Sequence, residues 1–343
     1  MIRAALLATL ALASASAGAE TVDEVAARYR FAGEMLVAKG DRVLLARGYG
    51  TVAPEAEARH RAGQRWRLAS ITKQVTAALI LKRVGEFGGS IDDPAISVTP
   101  SRDADSVPAR REDVLTVRQL LTHHSGYANP DDTAKDAAGV PAFYRAGTPD
   151  LNYCLSKPAL PGAAFSYNNC DYALLGRMLT VGDGKAVPIA WPRGMAMART
   201  GEIGVPGLIA GKPEPAFQLA SWGAAGGLMG TARAVFDFDR SLMTGKLLPT
   251  ASLAALWTPE GNGSYQALGQ WVFPGRLKGC AAPKRIVQRD GEIYGVQARN
   301  FIFPDDDLVV IVFTNRSSDD FPLGEVWEGK GFVYDLLSTV ACA

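Results

Sequence analysis

Apolar and polar residues alternate along FAGEMLVAKGDRVLLARGYG (residues 31–50) on both sides of Lys39-Gly40-Asp41. Period-two alternation about a glycine-containing turn predicts a β-hairpin. From Ser70 the period changes: SITKQVTAALILKRVGEF places Ile71, Val75, Ala78 and Leu79 on one helical face, with apolar residues over much of the rest. A helix this apolar is predicted to be central and buried, and Gly85, Gly88 and Gly89 mark its end. Residues 91–220 carry frequent Pro and Gly, short helical patches such as VRQLLTHH and DYALLGRML, and few strand-like runs. Beyond about residue 221, GGLMGTARAVFDFDRSLM reads as helix, QWVF, RNFIF and LVVIVFTN as strands, and GFVYDLLSTV as a final helix. The predicted fold is an α/β (α+β) sheet flanked by helices plus an all-α domain. The α/β domain is discontinuous, built from residues 20–90 and 221–343, and residues 91–220 form the mainly helical one.

Residues 1–19 stand apart. One basic residue, Arg3, precedes the apolar run Ala4–Ala13 and the small-residue stretch SASAGA, the layout of a cleaved secretory signal peptide. The run is too short to span a bilayer. The expectation is a periplasmic or secreted protein with no membrane span. Lys and Arg number 36 against 35 Asp and Glu, and removing Arg3 with the leader makes the signs equal. A neutral chain lacks the basic footprint of a nucleic-acid or anionic-membrane partner. The expected partner is a small molecule or peptide, and the oligomeric state is open.

The four cysteines, Cys154, Cys170, Cys280 and Cys342, allow three disulfide connectivities in an oxidising compartment. Cys154 and Cys170 are close enough to pair across one loop, which leaves Cys280 with Cys342. No C-x-x-C occurs and there are three histidines, so no metal site is expected.

No G-x-S-x-G elbow or H-E-x-x-H helix is present. The chain has instead Ser70-Ile71-Thr72-Lys73 at the head of its apolar helix. Residues i and i+3 share a face, which sets the Lys73 nitrogen beside the Ser70 hydroxyl at the positive end of the helix. Lysine in such a place can activate a serine. The competing reading is a solvated Ser and Lys at a helix start, because S-x-x-K arises by chance on the order of once in a chain of this length. In PGAAFSYNNCDYALLG (residues 161–176), Pro-Gly sets a turn, Tyr167-Asn168-Asn169 falls in a loop, and Asp171 starts a helix. Tyr167 and Asn169 there suit a proton carrier and a two-way hydrogen bonder, or equally a packed Tyr and a self-capped Asn.

Taken together, WRLASITK, LTVRQLLTHHSGY (residues 115–127) and PGAAFSYNNCDYALLG resemble the class C β-lactamase, DD-peptidase and esterase group of penicillin-recognising serine hydrolases. IDDP (residues 91–94), GGLMGTA (226–232) and RDGEIYGVQARNFIFPDDDLVVIVFTN (289–315) follow in the same order, so the resemblance covers about residues 30–335. It implies that Ser70 attacks a carbonyl to give an acyl-enzyme and that Lys73 and Tyr167 share acid and base duty. Asn169 would bind Lys73 and substrate, and the N–H groups of Ser70 and Glu292 would form an oxyanion hole. It implies no metal or organic cofactor. Substrates would be D-amino-acid peptides, β-lactams or small esters; the alternative is a penicillin-binding or sensing protein that acylates with little turnover.

The sequence departs from the family pattern at two points. Asn168 stands between Tyr167 and Asn169 where Ser or Ala is usual. Arg289-Asp290-Gly291 replaces a third motif that begins with Lys or His. Arginine keeps the charge and can grip a carboxylate, but it cannot release a proton. Arg289, Gly291 and Glu292 are therefore expected at the substrate, with Arg289 as a carboxylate anchor or as half of an ion pair with Asp290 or another nearby acid. His123 and His124 are expected to be packed residues outside the proton relay.

Overall fold

A computed structural model describes residues 20–95, 115–182, 185–186, 188–261 and 263–342. The expected signal peptide lies outside the described residues. The hairpin forms as expected, with strands β1 (Gly33–Lys39) and β2 (Arg42–Tyr49) joined at Gly40, whose φ of +58° is one that glycine accepts freely. They belong to a seven-stranded antiparallel sheet with β3 (Gln266–Ala267), β4 (Gln270–Gly275), β5 (Lys284–Ile293), β6 (Val296–Phe303) and β7 (Leu308–Thr314). The strand order is β3-β4-β5-β6-β7-β1-β2. The N-terminal hairpin is therefore stitched to the end of the chain, with Gly33 opposite Thr314 and Lys39 opposite Leu308.

Side chains that alternate along a strand point to opposite faces. Leu36, Ile302, Val309 and Ile311 pack on one face with the long helix α2 (Ile71–Glu86) and with α4 (Ala232–Met243). Met35, Phe301, Val310 and Val312 pack on the other with α1 (Val22–Arg28) and α5 (Phe332–Ala341). This double cover explains why β6 and β7 are buried at every residue and why β7 reads as a continuous apolar run. The remaining long helix, α3 (Asn169–Leu179), packs against α2.

Local pattern misled at three places. Leu228–Gly230, read as the start of a helix, is a strand pairing with Trp66–Arg67 and with Ala196–Met197; α4 begins only after Thr231, whose side chain caps it. α3 starts at Asn169 rather than Asp171, because the Asn168 side chain accepts from the Cys170 N–H and ends the loop two residues earlier. The region read as helix and loop also holds two-residue strand pairs, among them Leu208–Ile209 with Lys212–Pro213. Both expected disulfides, Cys154–Cys170 and Cys280–Cys342, are present.

Candidate active site

The strand Trp66–Arg67 leads through Ala69, at a left-handed φ of +44°, into α2. Ser70 is the cap residue of α2, yet its side chain makes no capping hydrogen bond. Its Oγ lies instead 2.6 Å from the Tyr167 hydroxyl and 3.4 Å from Lys73 Nζ. Lys73 is fully buried, which removes the solvated-cap reading. Its ammonium donates to Asn169 Oδ1 at 2.6 Å and to the Ala225 carbonyl at 2.9 Å, and it sits 4.6 Å from the centre of the Tyr167 ring.

Burying a cation without a carboxylate partner disfavours its charged form. Burial, helped by the charge of Arg289 and opposed by Tyr167, pushes Lys73 down to about 8. Burial alone would push the Tyr167 phenol up, but the Lys73 and Arg289 charges outweigh it and hold Tyr167 below the ordinary tyrosine range. Both shifts ease the loss of a proton from the pair.

Arg289 does not pair with Asp290. Its Nε donates to the Ser70 carbonyl and its Nη2 to the Tyr167 hydroxyl, each at 2.9 Å, while Asp290 faces Arg299 at 3.2 Å. The pairing of β4 with β5 ends where Trp271 stands opposite Gln288. From Arg289 to Ile293 the strand is laddered to β6 alone, and its other edge runs past Ser70. Gly291 permits that approach: a Cβ there would lie 2.8 Å from the Leu68 carbonyl oxygen and 3.0 Å from the Ser70 nitrogen. The Glu292 carboxylate is exposed and accepts from the Ser318 N–H, so its side chain is turned to the surface.

Ser70, Tyr167, Asn169, Arg289, Gly291 and Glu292 all line one cavity of about 600 Å³, with Lys73 buried behind it. Every residue expected to be catalytic or substrate-binding is thus at this site. Sequence reasoning missed Tyr144 and Asp131. Tyr144 stacks on Trp222 with ring centroids 3.6 Å apart, accepts from Asn169 Nδ2 at 2.9 Å, and donates to Asp131 at 2.6 Å. Neither lies in a periodic pattern, and only their meeting in space shows their use. The Cys154–Cys170 disulfide anchors the first turn of α3 directly beside Asn169.

An antiparallel sheet covered by helices on both faces, with a Ser-x-x-Lys helix head facing a Tyr-x-Asn helix head, is the architecture of the β-lactamase, DD-peptidase and penicillin-binding superfamily. More narrowly, residues 18–329 match the family model described as Beta-lactamase, and the chain belongs to that family. Similar solved structures include a penicillin-binding protein from Bacillus halodurans, 20% identical over 94% of this chain and 99% of that one, with a TM-score of 0.65. A D-amino acid amidase from Ochrobactrum anthropi SV3 is 18% identical over 93% and 96%, with a TM-score of 0.69. The octameric penicillin-binding protein homologue from Pyrococcus abyssi is 19% identical over 93% and 75%, also at 0.69. At these identities the likeness is one of fold. Family membership supports a serine-hydrolase type of acyl-enzyme chemistry. No helix among the described residues is long and apolar enough to cross a membrane.

Proposed function

We propose that this protein hydrolyses an amide or ester bond through an acyl-enzyme on Ser70, with Lys73 and Tyr167 moving the protons. The observation that carries this reading is the 2.6 Å contact between Ser70 Oγ and the Tyr167 hydroxyl, with Lys73 buried behind both and bonded to neutral acceptors rather than to a carboxylate. In the reactive form the Lys73–Tyr167 pair has lost one proton. Ser70 Oγ attacks the substrate carbonyl while its proton passes to Tyr167. The carbonyl electron pair moves onto oxygen, held by the N–H groups of Ser70 at the head of α2 and of Glu292 on the stretch of β5 that β4 leaves unpaired. Collapse expels the amine or alkoxide, which takes the proton from Tyr167. Water then repeats the sequence on the acyl-enzyme and restores Ser70.

Asn169 holds Lys73 in place from the cavity wall, and Arg289 stabilises negative charge on Tyr167 while keeping a place in the cavity lining from which to meet a substrate carboxylate. D-amino-acid peptides, β-lactams and small esters all present the carbonyl this mechanism needs. Two disulfides fit an exported protein, since such bonds persist in oxidising compartments. In this reading residues 91–220 act as the mainly helical domain that brings Tyr167 and Asn169 to a domain formed from residues 20–90 and 221–343.

A time course with a fluorescent penicillin and with p-nitrophenyl esters tests the proposal. Hydrolysis accompanied by transient labelling is expected. Stable labelling without product would identify an acylating sensor, and absence of both would remove Ser70 from the role.

A further inference from the structure

His123 is fully buried, with its ring centre 4.6 Å from that of Tyr167 and 5.3 Å from that of Tyr172. It holds the chain on both sides of Tyr167. The Ser166 N–H donates to the His123 carbonyl at 2.9 Å, and the Asn168 N–H donates to His123 Nδ1 at 3.2 Å. His123 itself takes a left-handed φ of +61°, which a residue other than glycine adopts only where its surroundings impose it.

An amide N–H can only donate, so Nδ1 must present its lone pair. Asp171 Oδ2 lies 3.2 Å from the same nitrogen. An ionised carboxylate there would set lone pair against lone pair in a site without water access. The contact is attractive only when Asp171 carries a proton and shares Nδ1 with the Asn168 amide in a three-centre hydrogen bond. His123 Nε2 has no nitrogen or oxygen partner among the described residues, so the remaining imidazole proton resides there, among aromatic rings.

We propose that Asp171 and His123 form a neutral acid–imidazole pair, Asp171 donating to His123 Nδ1, and that this pair is the positioning device holding the Tyr167 hydroxyl against Ser70. The proposal rests on the reading of Tyr167 as proton carrier. The groups facing the pair are consistent with it. Burial pushes Asp171 up to about 8, with a Ser125 hydrogen bond and the Lys73 charge opposing. Burial drives His123 well below the ordinary histidine range, and the charges of Lys73, Arg289 and His124 add to that shift. Tyr172 and Tyr167, the other titratable groups against the pair, contribute no cation that would favour an ionised Asp171.

The first measurement is ¹⁵N NMR of histidine-labelled protein, with His123 assigned by replacing His60 and His124 singly. A neutral imidazole protonated at Nε2 at pH 7 is expected. An imidazolium, or a proton on Nδ1, overturns the pair whatever Tyr167 does. The second measurement is the acylation rate of Asp171→Ala and Asp171→Asn with the fluorescent penicillin. Displacing a reacting group by about 1 Å costs on the order of a hundredfold, so Asp171→Ala should lose about that much in the rate constant with probe affinity retained.

The amide of Asp171→Asn supplies a permanent donor and should recover at least about tenfold of the loss, as expected for a restored hydrogen bond. It should also abolish the fall in wild-type rate above a pH of about 8, where Asp171 would ionise. An Asn variant as poor as the Ala variant, or an Ala variant as fast as wild type, overturns the proposal. If Tyr167→Phe acylates at the wild-type rate while the tautomer is as expected, the failure belongs to the reading of Tyr167 and not to the pair.

Discussion

The Tyr167 hydroxyl lies closer to Ser70 Oγ, at 2.6 Å, than the Lys73 nitrogen does, at 3.4 Å. In the proposed mechanism the proton of Ser70 therefore passes first to the deprotonated Tyr167, and the lysine acts behind it. Tyr167→Phe keeps the ring on Lys73 and His123 but removes the acceptor. Acylation is expected to fall by about 10²- to 10⁴-fold, the usual worth of a positioned acid or base, with thermal unfolding unchanged. Ser70→Ala should fold and abolish labelling altogether, as seen by gel fluorescence after exposure to the penicillin probe.

Lys73 sets the acid side of the pH profile. Because its folded value, about 8, lies below that of an exposed lysine, the proton is lost at lower pH than in the unfolded chain. The acylation rate should therefore rise with pH up to about 8, where the fall set by Asp171 begins. The same sign applies to stability: between about 8 and the ordinary lysine range the folded state binds fewer protons, so this group makes the fold more stable as pH rises. Single-turnover rates across the pH range check the first statement. Lys73→Ala should lose the ascending limb together with most of the activity.

Arg289 is bonded to Tyr167 and to the Ser70 carbonyl, which changes what its removal does. Arg289→Ala should slow neutral esters as well as carboxylate substrates, because the reactive, deprotonated Tyr167 loses a charged donor worth about 1.5 to 3 kcal/mol and is less populated, by roughly ten- to a hundredfold. A carboxylate-bearing substrate should lose more than a neutral ester of similar size. Comparing kcat/KM for the two separates the shares, and equal losses would leave Arg289 with no part in substrate binding.

The Cys154–Cys170 staple closes a loop of 16 residues that ends beside Asn169. Replacing both cysteines by Ala should cost about 3 kcal/mol in the chain-entropy account, measurable by denaturant titration. It should also raise the mobility of Asn169 and lower the acylation rate before global unfolding sets in.

The site was legible wherever its chemistry sits on one turn of helix. Ser70 and Lys73 are three residues apart on α2, so spacing alone brings them together. Tyr167 and Asn169 read as loop residues ahead of a helix from Asp171, and their roles come from the resemblance; the Asn168 cap that starts α3 at Asn169 was not foreseen. Arg289 needed the resemblance to place it, and its bond to Tyr167 spans 122 positions that no local pattern encodes. Leu228–Gly230 failed for the same reason: its strand conformation is dictated by Trp66–Arg67 and Ala196–Met197, distant in sequence, which overrides a locally helical composition. His123 was correctly expected to be packed. What it packs against was visible only once the Asn168 amide had been placed on its ring.

The order of strands gives the protein a history as well as a shape. β1 is flanked by β2 on one side and by β7 on the other, so the centre of the sheet waits for residues 308–314. Until they arrive, β3 to β6 and the β1–β2 hairpin have no strand to join them, and the two halves of the sheet that α2 packs on are not held together. A chain still being synthesised or threaded through a membrane would carry its serine, lysine and tyrosine without the wall that completes them. Long-range pairing of this kind is slow to form. A truncation ahead of β7 should therefore fail to hold the site together, as loss of labelling by the penicillin probe would report.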